Sequence, residues 1–282
     1  MRINRFFQKL NKKFGGPGKS TEPMQRPELG FPVRLPYGAF QFQTQVAEGS
    51  RYEIQATTNF SNWVSIFSET SDGEIDFVDS DASNFSYRFY RLKVKRIYSR
   101  NVTGYATVTL PPGFSMIANP LLGADNSVGE LFKGFPDGTM LAKYDSLVHR
   151  MTENTVKAGK WTSPWEKLLL GEGAIFFNPT FDYKVFSFVG DVSLQSSSTP
   201  IPAGFSIRSS PVPQPGRLDA DLGFPIDEGD EVHIFDRDRQ TYGLHTYSSK
   251  AWATEPPIVG VGESFWVTKK LPGNWISRPF VT

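Results

Sequence analysis

The sequence contains no cysteine and only three histidines, and these two shortages narrow the chemistry that the chain can perform. Without cysteine there is no disulfide, no thiolate nucleophile and no sulfur-ligated metal. His149, His233 and His245 do not form a metal-binding spacing with one another, and none stands in a known catalytic motif. The sequence therefore predicts a protein that is not an enzyme. An uncharacterised hydrolase stays open as an alternative, which would require one of these histidines to meet carboxylates in a pocket.

The sequence has neither an excess of one sign of charge nor a long apolar run. The 30 Lys and Arg residues are balanced by 29 Asp and Glu residues, so the net charge is +1 and nucleic acid is not an expected partner. No segment reaches the roughly 18 apolar residues that a membrane-spanning helix needs. A secretory signal needs a continuous apolar segment after its basic residues, and none follows here. We therefore expect no export signal in these residues, and assembly in the cytoplasm stays open.

Basic and apolar residues do combine at helical spacing in residues 1–14, ahead of a linker of Gly, Pro and polar residues at 15–30. This pattern predicts a short amphipathic helix that docks onto an acidic partner or an anionic membrane surface. The predicted docking residues are Arg2, Arg5, Phe6, Phe7, Lys9, Leu10, Lys12, Lys13 and Phe14.

Turn formers and aromatic residues dominate the rest of the chain. There are 25 Gly and 21 Pro residues, which favour short strands over long helices. Between residues 31 and 98, apolar residues alternate with polar ones in five segments separated by turns, which predicts a small β-sandwich. The sequences at 52–63, 77–85 and 88–91 resemble a fibronectin-III-like module of bacterial secreted and cell-surface proteins.

The second part of the chain repeats itself. The segment that begins at Gly113 recurs at Gly204, a shift of 204 − 113 = 91, and further landmarks such as Trp161 recur at the same shift. The Gly-x-Gly at 171–173 matches the one at 260–262, where the shift is 260 − 171 = 89. Landmarks in one order at one spacing indicate a tandem duplication. The change of shift predicts that the second copy has lost two residues in the loop before its Gly-x-Gly.

The predicted copies span residues 105–192 and 193–282. Both resemble a β-module of exported bacterial proteins, in which a Gly-Trp-Asn-Leu-Ile strand ends at a proline and a Gly-x-Gly turn opens an aromatic closing strand. Phe114 and Phe205 stand where that module has its first Trp. The predicted fold is therefore all-β: a small fibronectin-III/immunoglobulin-like sandwich followed by a duplicated β-module. The resemblance implies an extracellular or cell-surface location and no agreed activity.

Five carboxylates lie close together around the fourth strand of the predicted sandwich. Oxygen ligands at alternate positions suit calcium, although the spacing is not that of an EF-hand. The alternative is a polar edge that discourages pairing between sheets. The candidate calcium ligands are Asp72, Glu74, Asp76, Asp79 and Asp81, and no other cofactor is predicted.

Aromatic residues in turn-rich segments offer a second candidate site, because exposed rings stack on the flat faces of sugars. Trp161 and Trp252 occupy equivalent positions in the two copies, which favours a shared core position. Trp165 and Trp275 have no counterpart in this alignment. We therefore predict that Trp165 and Trp275, together with Tyr242, form a ligand or partner surface.

These observations predict a non-enzymatic structural or interaction protein of the bacterial cell surface or extracellular matrix, which acts in adhesion, scaffolding or assembly. The expected partner is another protein or a second copy of this chain. The alternative is a carbohydrate-binding accessory protein with a glycan partner, which would require exposed Trp residues in a shallow groove.

Overall fold

The computed structural model describes residues 26–277. The amphipathic helix predicted at residues 1–14, with its docking residues, lies outside the described residues, as does the predicted linker up to residue 25. Within 26–277, no helix has both the length and the apolar character that crossing a membrane requires.

The predicted all-β fold is confirmed, because nearly every regular element of the described residues is an antiparallel strand. The one α-helix among them, α1 (Val128–Leu131), has four residues, and two 3-10 turns lie at Pro36–Gly38 and Ser80–Asn84. The strands are β1 (Gly30–Arg34), β2 (Phe40–Gln45), β3 (Arg51–Thr57), β4 (Val64–Thr70), β5 (Glu74–Asp79), β6 (Tyr87–Val94), β7 (Ile97–Tyr98), β8 (Thr103–Leu110), β9 (Gly113–Ile117), β10 (Met140–Asp145), β11 (Arg150–Lys157), β12 (Lys160–Trp161), β13 (Ala174–Asn178), β14 (Lys184–Asp191), β15 (Ser197–Ile201), β16 (Gly204–Ser209), β17 (Gly216–Arg217), β18 (Glu231–Asp236), β19 (Thr241–Ser248), β20 (Ala251–Trp252), β21 (Ile258–Val259), β22 (Ser264–Lys269) and β23 (Gly273–Ser277).

The N-terminal strands form a sandwich of two sheets. One sheet has the order β1-β2-β5, and the other has the order β14-β8-β6-β3-β4. Because side chains alternate along a strand, Phe40 and Phe42 of one sheet meet Tyr90 and Tyr105 of the other in a shared core. Phe40 stacks on Tyr90 with ring centroids 4.8 Å apart. Strand β8, which the sequence analysis assigned to the first copy, is thus also a strand of this sandwich.

Strand β8 is buried on both faces and joins the sandwich to the first copy. Tyr105 points into the sandwich core, whereas Val108 and Leu110 point to the opposite face, where they pack with Phe188 of β14. Phe89 of β6 belongs to the same cluster on that face. The core of the first copy therefore includes side chains of the sandwich, so the two units are packed together along β8.

The last residues of the predicted linker are packed against this central sheet. Leu29 is buried, and its N–H donates to the Asn101 side chain over 2.9 Å, while Asn101 Nδ2 donates back to the Leu29 carbonyl over 2.8 Å. Asn101 Nδ2 also donates to the Asp191 carboxylate at the end of β14 over 3.0 Å. Burial raises the pKa of this Asp191 carboxyl above its ordinary value, although the bond from Asn101 lowers it in part. Residues 26–30 are therefore held at the junction of the sandwich and the first copy.

The raised pKa of Asp191 predicts a specific pH dependence of stability. Since the folded state holds the proton more tightly, its stability falls as the pH rises from the unfolded pKa, roughly 3.9, through the higher folded value. Asp191→Asn, which keeps an acceptor for Asn101, should therefore raise the free energy of unfolding at neutral pH by on the order of 1 kcal/mol. Urea denaturation from about pH 3 to 7 measures it. An advantage of Asn that does not shrink towards pH 3, where both forms are neutral, contradicts this explanation.

The two copies have the same strand order. The sheet of the first copy runs β12-β11-β10-β13-β9, and that of the second runs β20-β19-β18-β22-β16. In each copy a strand pair closes the core from the other side, β8 with β14 in the first and β15 with β23 in the second. The second copy has a core cluster of its own, which includes Phe265, Val267 and Trp275.

The registers correct the predicted position of the two-residue loss. The closing strands, β13 and β22, are related by the shift of 91. Phe114 faces Phe177 in the first copy and Phe205 faces Thr268 in the second, and 268 − 177 = 91. The last strands of the copies, β14 and β23, are related by a different shift. Lys184 faces Leu110 in the first copy and Gly273 faces Ile201 in the second, and 273 − 184 = 89. The loss therefore lies in the loop after the closing strand, at 179–183 in the first copy and 270–272 in the second. The Gly-x-Gly patterns matched in the sequence are not equivalent in space.

The corrected alignment places Asn178 and Lys269 at the same buried position. Asn178 Nδ2 donates to the carbonyls of Leu110, Pro111 and Asp182. Lys269 donates instead to the Asp227 carboxylate, over 2.7 Å, and to the fully buried carboxylate of Asp230. A buried charge is tolerated only when it is paired and hydrogen-bonded in this way. The two copies thus satisfy one backbone geometry with different side chains.

Candidate functional site

The two copies contact each other through reciprocal backbone hydrogen bonds. The Ala118 N–H donates to the Gly262 carbonyl over 2.9 Å, and the Ser209 N–H donates to the Gly171 carbonyl over 3.2 Å. Each donor and each acceptor recurs at the shift of 91, since 209 − 118 = 91 and 262 − 171 = 91. Such an exchange is the mark of a two-fold interface, here formed within a single chain.

The contact is close because a glycine lies at its centre. A Cβ atom at Gly173 would lie 2.4 Å from Ser264 Cβ and 2.5 Å from Ile207 Cγ2, so no larger residue fits there without displacement. Beside it, burial lowers the pKa of Arg208, and the neighbouring Glu172 carboxylate offsets part of that shift. The outer faces of the two sheets are therefore pressed together at this point and diverge on either side of it.

An aromatic pocket of about 390 Å³ opens where the faces diverge, and we refer to it as the Trp266 pocket. Tyr144 comes from the first copy, and its ring meets the Trp266 ring edge to face with centroids 5.1 Å apart. Trp266 Nε1 donates to the Tyr242 hydroxyl over 3.3 Å. The residues that line the pocket are Tyr144, Phe205, His233, Tyr242 and Trp266.

A second pocket, of about 590 Å³, lies at the pseudo-symmetric position, and we refer to it as the Phe114 pocket. Phe114 takes the place of Phe205 and Ile175 takes the place of Trp266, both at the shift of 91. The smaller Ile175 side chain is one reason for the larger volume. Tyr242 lines both pockets, so the two form one aromatic groove along the interface of the copies. The residues that line the second pocket are Phe114, Ser115, Met116, Ile175, Phe235, Gln240 and Tyr242.

A carboxamide from the second copy closes one edge of the Phe114 pocket. Gln240 lies in the turn between β18 and β19, where its backbone has a left-handed φ of 54°. The Phe114 N–H donates to Gln240 Oε1 over 2.8 Å, and Gln240 Nε2 donates to the Phe114 carbonyl over 2.9 Å. The side-chain amide therefore satisfies the outer edge of β9 as a neighbouring strand would.

The three histidines have different surroundings. His149 Nδ1 lies 3.2 Å from the Tyr144 hydroxyl, and His245 Nδ1 lies 2.9 Å from the Glu255 carbonyl. His233 lines the Trp266 pocket, with its ring centroid 6.4 Å from that of Phe205. Its Nε2 atom is buried and has no hydrogen-bond partner within residues 26–277. The arrangement that the hydrolase alternative would require, a histidine bonded to a carboxylate, is thus not formed in the described part of the chain.

The candidate calcium site is not formed, because its five carboxylates do not converge. Along β5 the side chains alternate, so Glu74 and Asp76 face solvent whereas Asp79 faces the core. Asp79 Oδ2 accepts hydrogen bonds of 2.8 Å from both Arg88 Nη1 and the Tyr90 hydroxyl. Asp72 and Asp81 are exposed in the segments on either side of the strand. No group of three potential metal ligands occurs in the described part of the chain.

The structure separates the three aromatic residues of the predicted partner surface. Tyr242 is 46% exposed and lines the groove, and Trp165 is 73% exposed but lies outside both pockets. The prediction for Trp275 is corrected, because its side chain is fully buried and its Nε1 donates to the Leu222 carbonyl over 2.8 Å. With the two-residue loss placed correctly, Trp275 is the counterpart of Phe186 (275 − 186 = 89), which also packs into a core.

Most of the groove was missed by reading the sequence. The sequence identified Phe114 and Phe205 only as matching positions of the repeat, yet they are 44% and 47% exposed and line the groove. A signal was present, since Phe114 and Met116 lie on one face of β9 while Ile117 lies on the other. A strand with apolar side chains on both faces is expected to be buried on both faces.

No protein-family model matches this sequence, and none of the curated protein sequences matches it. The two resemblances described above therefore stay predictions.

The different burial of Trp275 and Trp165 can be tested by measuring the free energy of unfolding of two variants. Trp275→Ala should lower the free energy of unfolding by roughly 3–5 kcal/mol, because it empties a core position and frees the Leu222 carbonyl. The matched variant Trp165→Ala should change it by only about 0.5 kcal/mol or less. Chemical denaturation followed by circular dichroism measures both. Equal losses for the two variants would contradict the assignment of Trp275 to the core.

Proposed function

We propose that this chain is a non-enzymatic interaction protein of the bacterial cell surface or exterior, which binds a partner through the aromatic groove between its two copies. The observation that carries the proposal is the groove itself. Four of the five residues around the Trp266 pocket are aromatic, and the pocket is built from both copies. Concave sites with mostly apolar walls and a few polar groups are typical of ligand recognition.

The energetics of the groove support binding more than a purely structural role. Phe205 and Tyr242 keep nearly half of their surface in contact with solvent, although both belong to a sheet whose other face is a packed core. Large aromatic residues gain about 25 cal/mol for each Å² of apolar surface that a partner removes from water. Tyr and Trp in pockets are also the residue types that contribute most to binding energy at interfaces.

The N-terminal sandwich supports the surface location. Its arrangement, three strands against a second antiparallel sheet, is the one expected of the fibronectin-III-like module that residues 52–91 resemble. Cell-surface domains commonly share this sandwich architecture. The location is an inference from this resemblance, and it is independent of the groove.

Carbohydrate binding is the second candidate function, and one observation favours it. Tyr242 offers an aromatic ring to both pockets, and a shared ring between two neighbouring pockets suits a polymer of repeated flat units. The partner in this alternative is a glycan rather than a protein.

Binding by the groove can be tested with the full chain on peptide and glycan arrays. Tyr242→Ala removes the ring that both pockets share and should weaken binding by about tenfold or more. The matched variant Trp165→Ala removes a larger exposed ring outside the groove and should bind as the unchanged chain does. A ligand that loses affinity equally with both variants contradicts binding through the groove. Glycans bound in place of peptides would favour the second candidate.

The location is tested separately by fractionation of native cells with an antibody against the full chain. Signal at the surface or in the medium is the expected result. A signal confined to the cytosol would overturn the location, while the array result would still decide whether the groove binds a partner.

A further inference from the structure

The contact between Gln240 and Phe114 indicates what the other pocket binds. At Phe114, one carboxamide group accepts from the backbone N–H and donates to the backbone carbonyl, beside an aromatic pocket. The side-chain amide of Gln240 thus occupies one of two pseudo-symmetric strand edges. The equivalent edge, at Phe205 on β16, borders the Trp266 pocket.

The backbone of Phe205 points its N–H and carbonyl towards this outer edge. Along a strand these groups alternate between the two sides, so residues four apart point the same way. Ser209 directs its N–H away from β22, to Gly171 of the first copy. The ladder from Phe205 to Ser209 has no bulge, so Phe205 points outwards as well. Within residues 26–277, no side chain and no loop hydrogen-bonds to either group of Phe205.

The edge at Phe205 is open because the residue equivalent to Gln240 is His149 (240 − 149 = 91). Both residues occupy the same turn position, with left-handed φ angles of 54° and 52°. The His149 ring contacts the Tyr144 hydroxyl at the pocket instead of reaching across to Phe205. The turn of the first copy also leaves Leu147 86% and Val148 66% exposed.

We propose that the open edge of β16 at Phe205 and the Trp266 pocket together bind an extended peptide segment. One residue of the peptide donates its N–H to the Phe205 carbonyl and accepts from the Phe205 N–H through its own carbonyl, and an apolar side chain of the segment enters the pocket. This inference rests on the proposed function, because it names the class of partner for the same groove.

Three observations select a peptide as the occupant. The edge requires one donor and one acceptor in the geometry that an amide already supplies at Phe114. Among residues 26–277, no Lys, Arg, Asp or Glu side chain lines the Trp266 pocket, so its chemistry fits an apolar side chain better than a charged group. The site also continues the interface of the two copies, in which backbone pairing already joins strand edges. Addition of a strand to a sheet edge, with a pocket for a side chain, is a known mode of peptide recognition.

The test is a titration of the ¹⁵N-labelled full chain, followed by NMR, with a blocked pentapeptide that has phenylalanine between two pairs of glycines. Saturable shifts of the Phe205 amide and of the Trp266 indole N–H are expected. A depsipeptide in which an ester replaces the amide of that phenylalanine should bind about tenfold more weakly, because it cannot donate to the Phe205 carbonyl. An all-glycine peptide should bind more weakly still, because it leaves the pocket empty.

Three variants, one of them a control, test the strand edges from the protein side. His149→Gln installs the carboxamide that Gln240 provides in the other copy, so it should occupy Phe205 and weaken peptide binding by about tenfold. His245→Gln makes the same substitution outside the groove and should leave binding unchanged. In Gln240→Ala, a second set of shifts at the Phe114 amide is expected.

The outcomes separate the two proposals. Equal binding of the peptide and the depsipeptide, with shifts of the Trp266 indole, would overturn backbone pairing but keep binding by the groove. Binding of a xylan or chitin oligosaccharide but not of the peptide would overturn the peptide proposal in favour of a glycan. Shifts that leave Trp266 and Phe205 unaffected at millimolar peptide would overturn this inference, whereas a Tyr242-dependent ligand found on the arrays would still support the proposed function.

Discussion

The reciprocal bonds between Ala118 and Gly262 and between Ser209 and Gly171 determine how the second half of the molecule is arranged. Strands β9 and β16 are the edges of their sheets, and an edge exposes N–H and carbonyl groups that need partners. Each copy supplies partners for the edge of the other from the turn that precedes its own closing strand. The two sheets are thereby fixed face to face, and the groove is the space that remains where the faces diverge.

A second constraint ties this pair to the rest of the chain. Strand β8 places Tyr105 in the sandwich core and Val108 and Leu110 in the core of the first copy, so both cores depend on it. The second copy has a cluster of its own and reaches the others through the reciprocal contact. The groove therefore lies between the second copy, which has its own core cluster, and the first copy, whose core cluster includes residues of the sandwich.

The two copies differ at several positions where the same backbone accepts different side chains. Trp266 and Ile175 occupy one position in the two pockets, and His149 and Gln240 occupy another in the two turns. In the buried position of Asn178 and Lys269, different polar groups satisfy the same strand end. The fold is thus held by features common to both copies, whereas the chemistry of each pocket depends on the positions that differ, as expected when a site is built on a scaffold.

The sequence by itself determined the all-β class, since alternation and turn residues are local signals. It also revealed the repeat, because Gly113 and Gly204 require the same left-handed backbone with φ of 88° and 82°. It could not place the two-residue loss, because the Gly-x-Gly at 171–173 and the one at 260–262 match as sequences, and only the strand pairing shows that Gly171 corresponds to Gly262. It could not separate Trp165 from Trp275 either, since burial depends on which strand closes the core. The groove and the open edge at Phe205 were decided only in the tertiary structure, because they arise between residues far apart in the chain, such as Phe114 and Gln240, which are 126 residues apart and meet only when the two copies pack together.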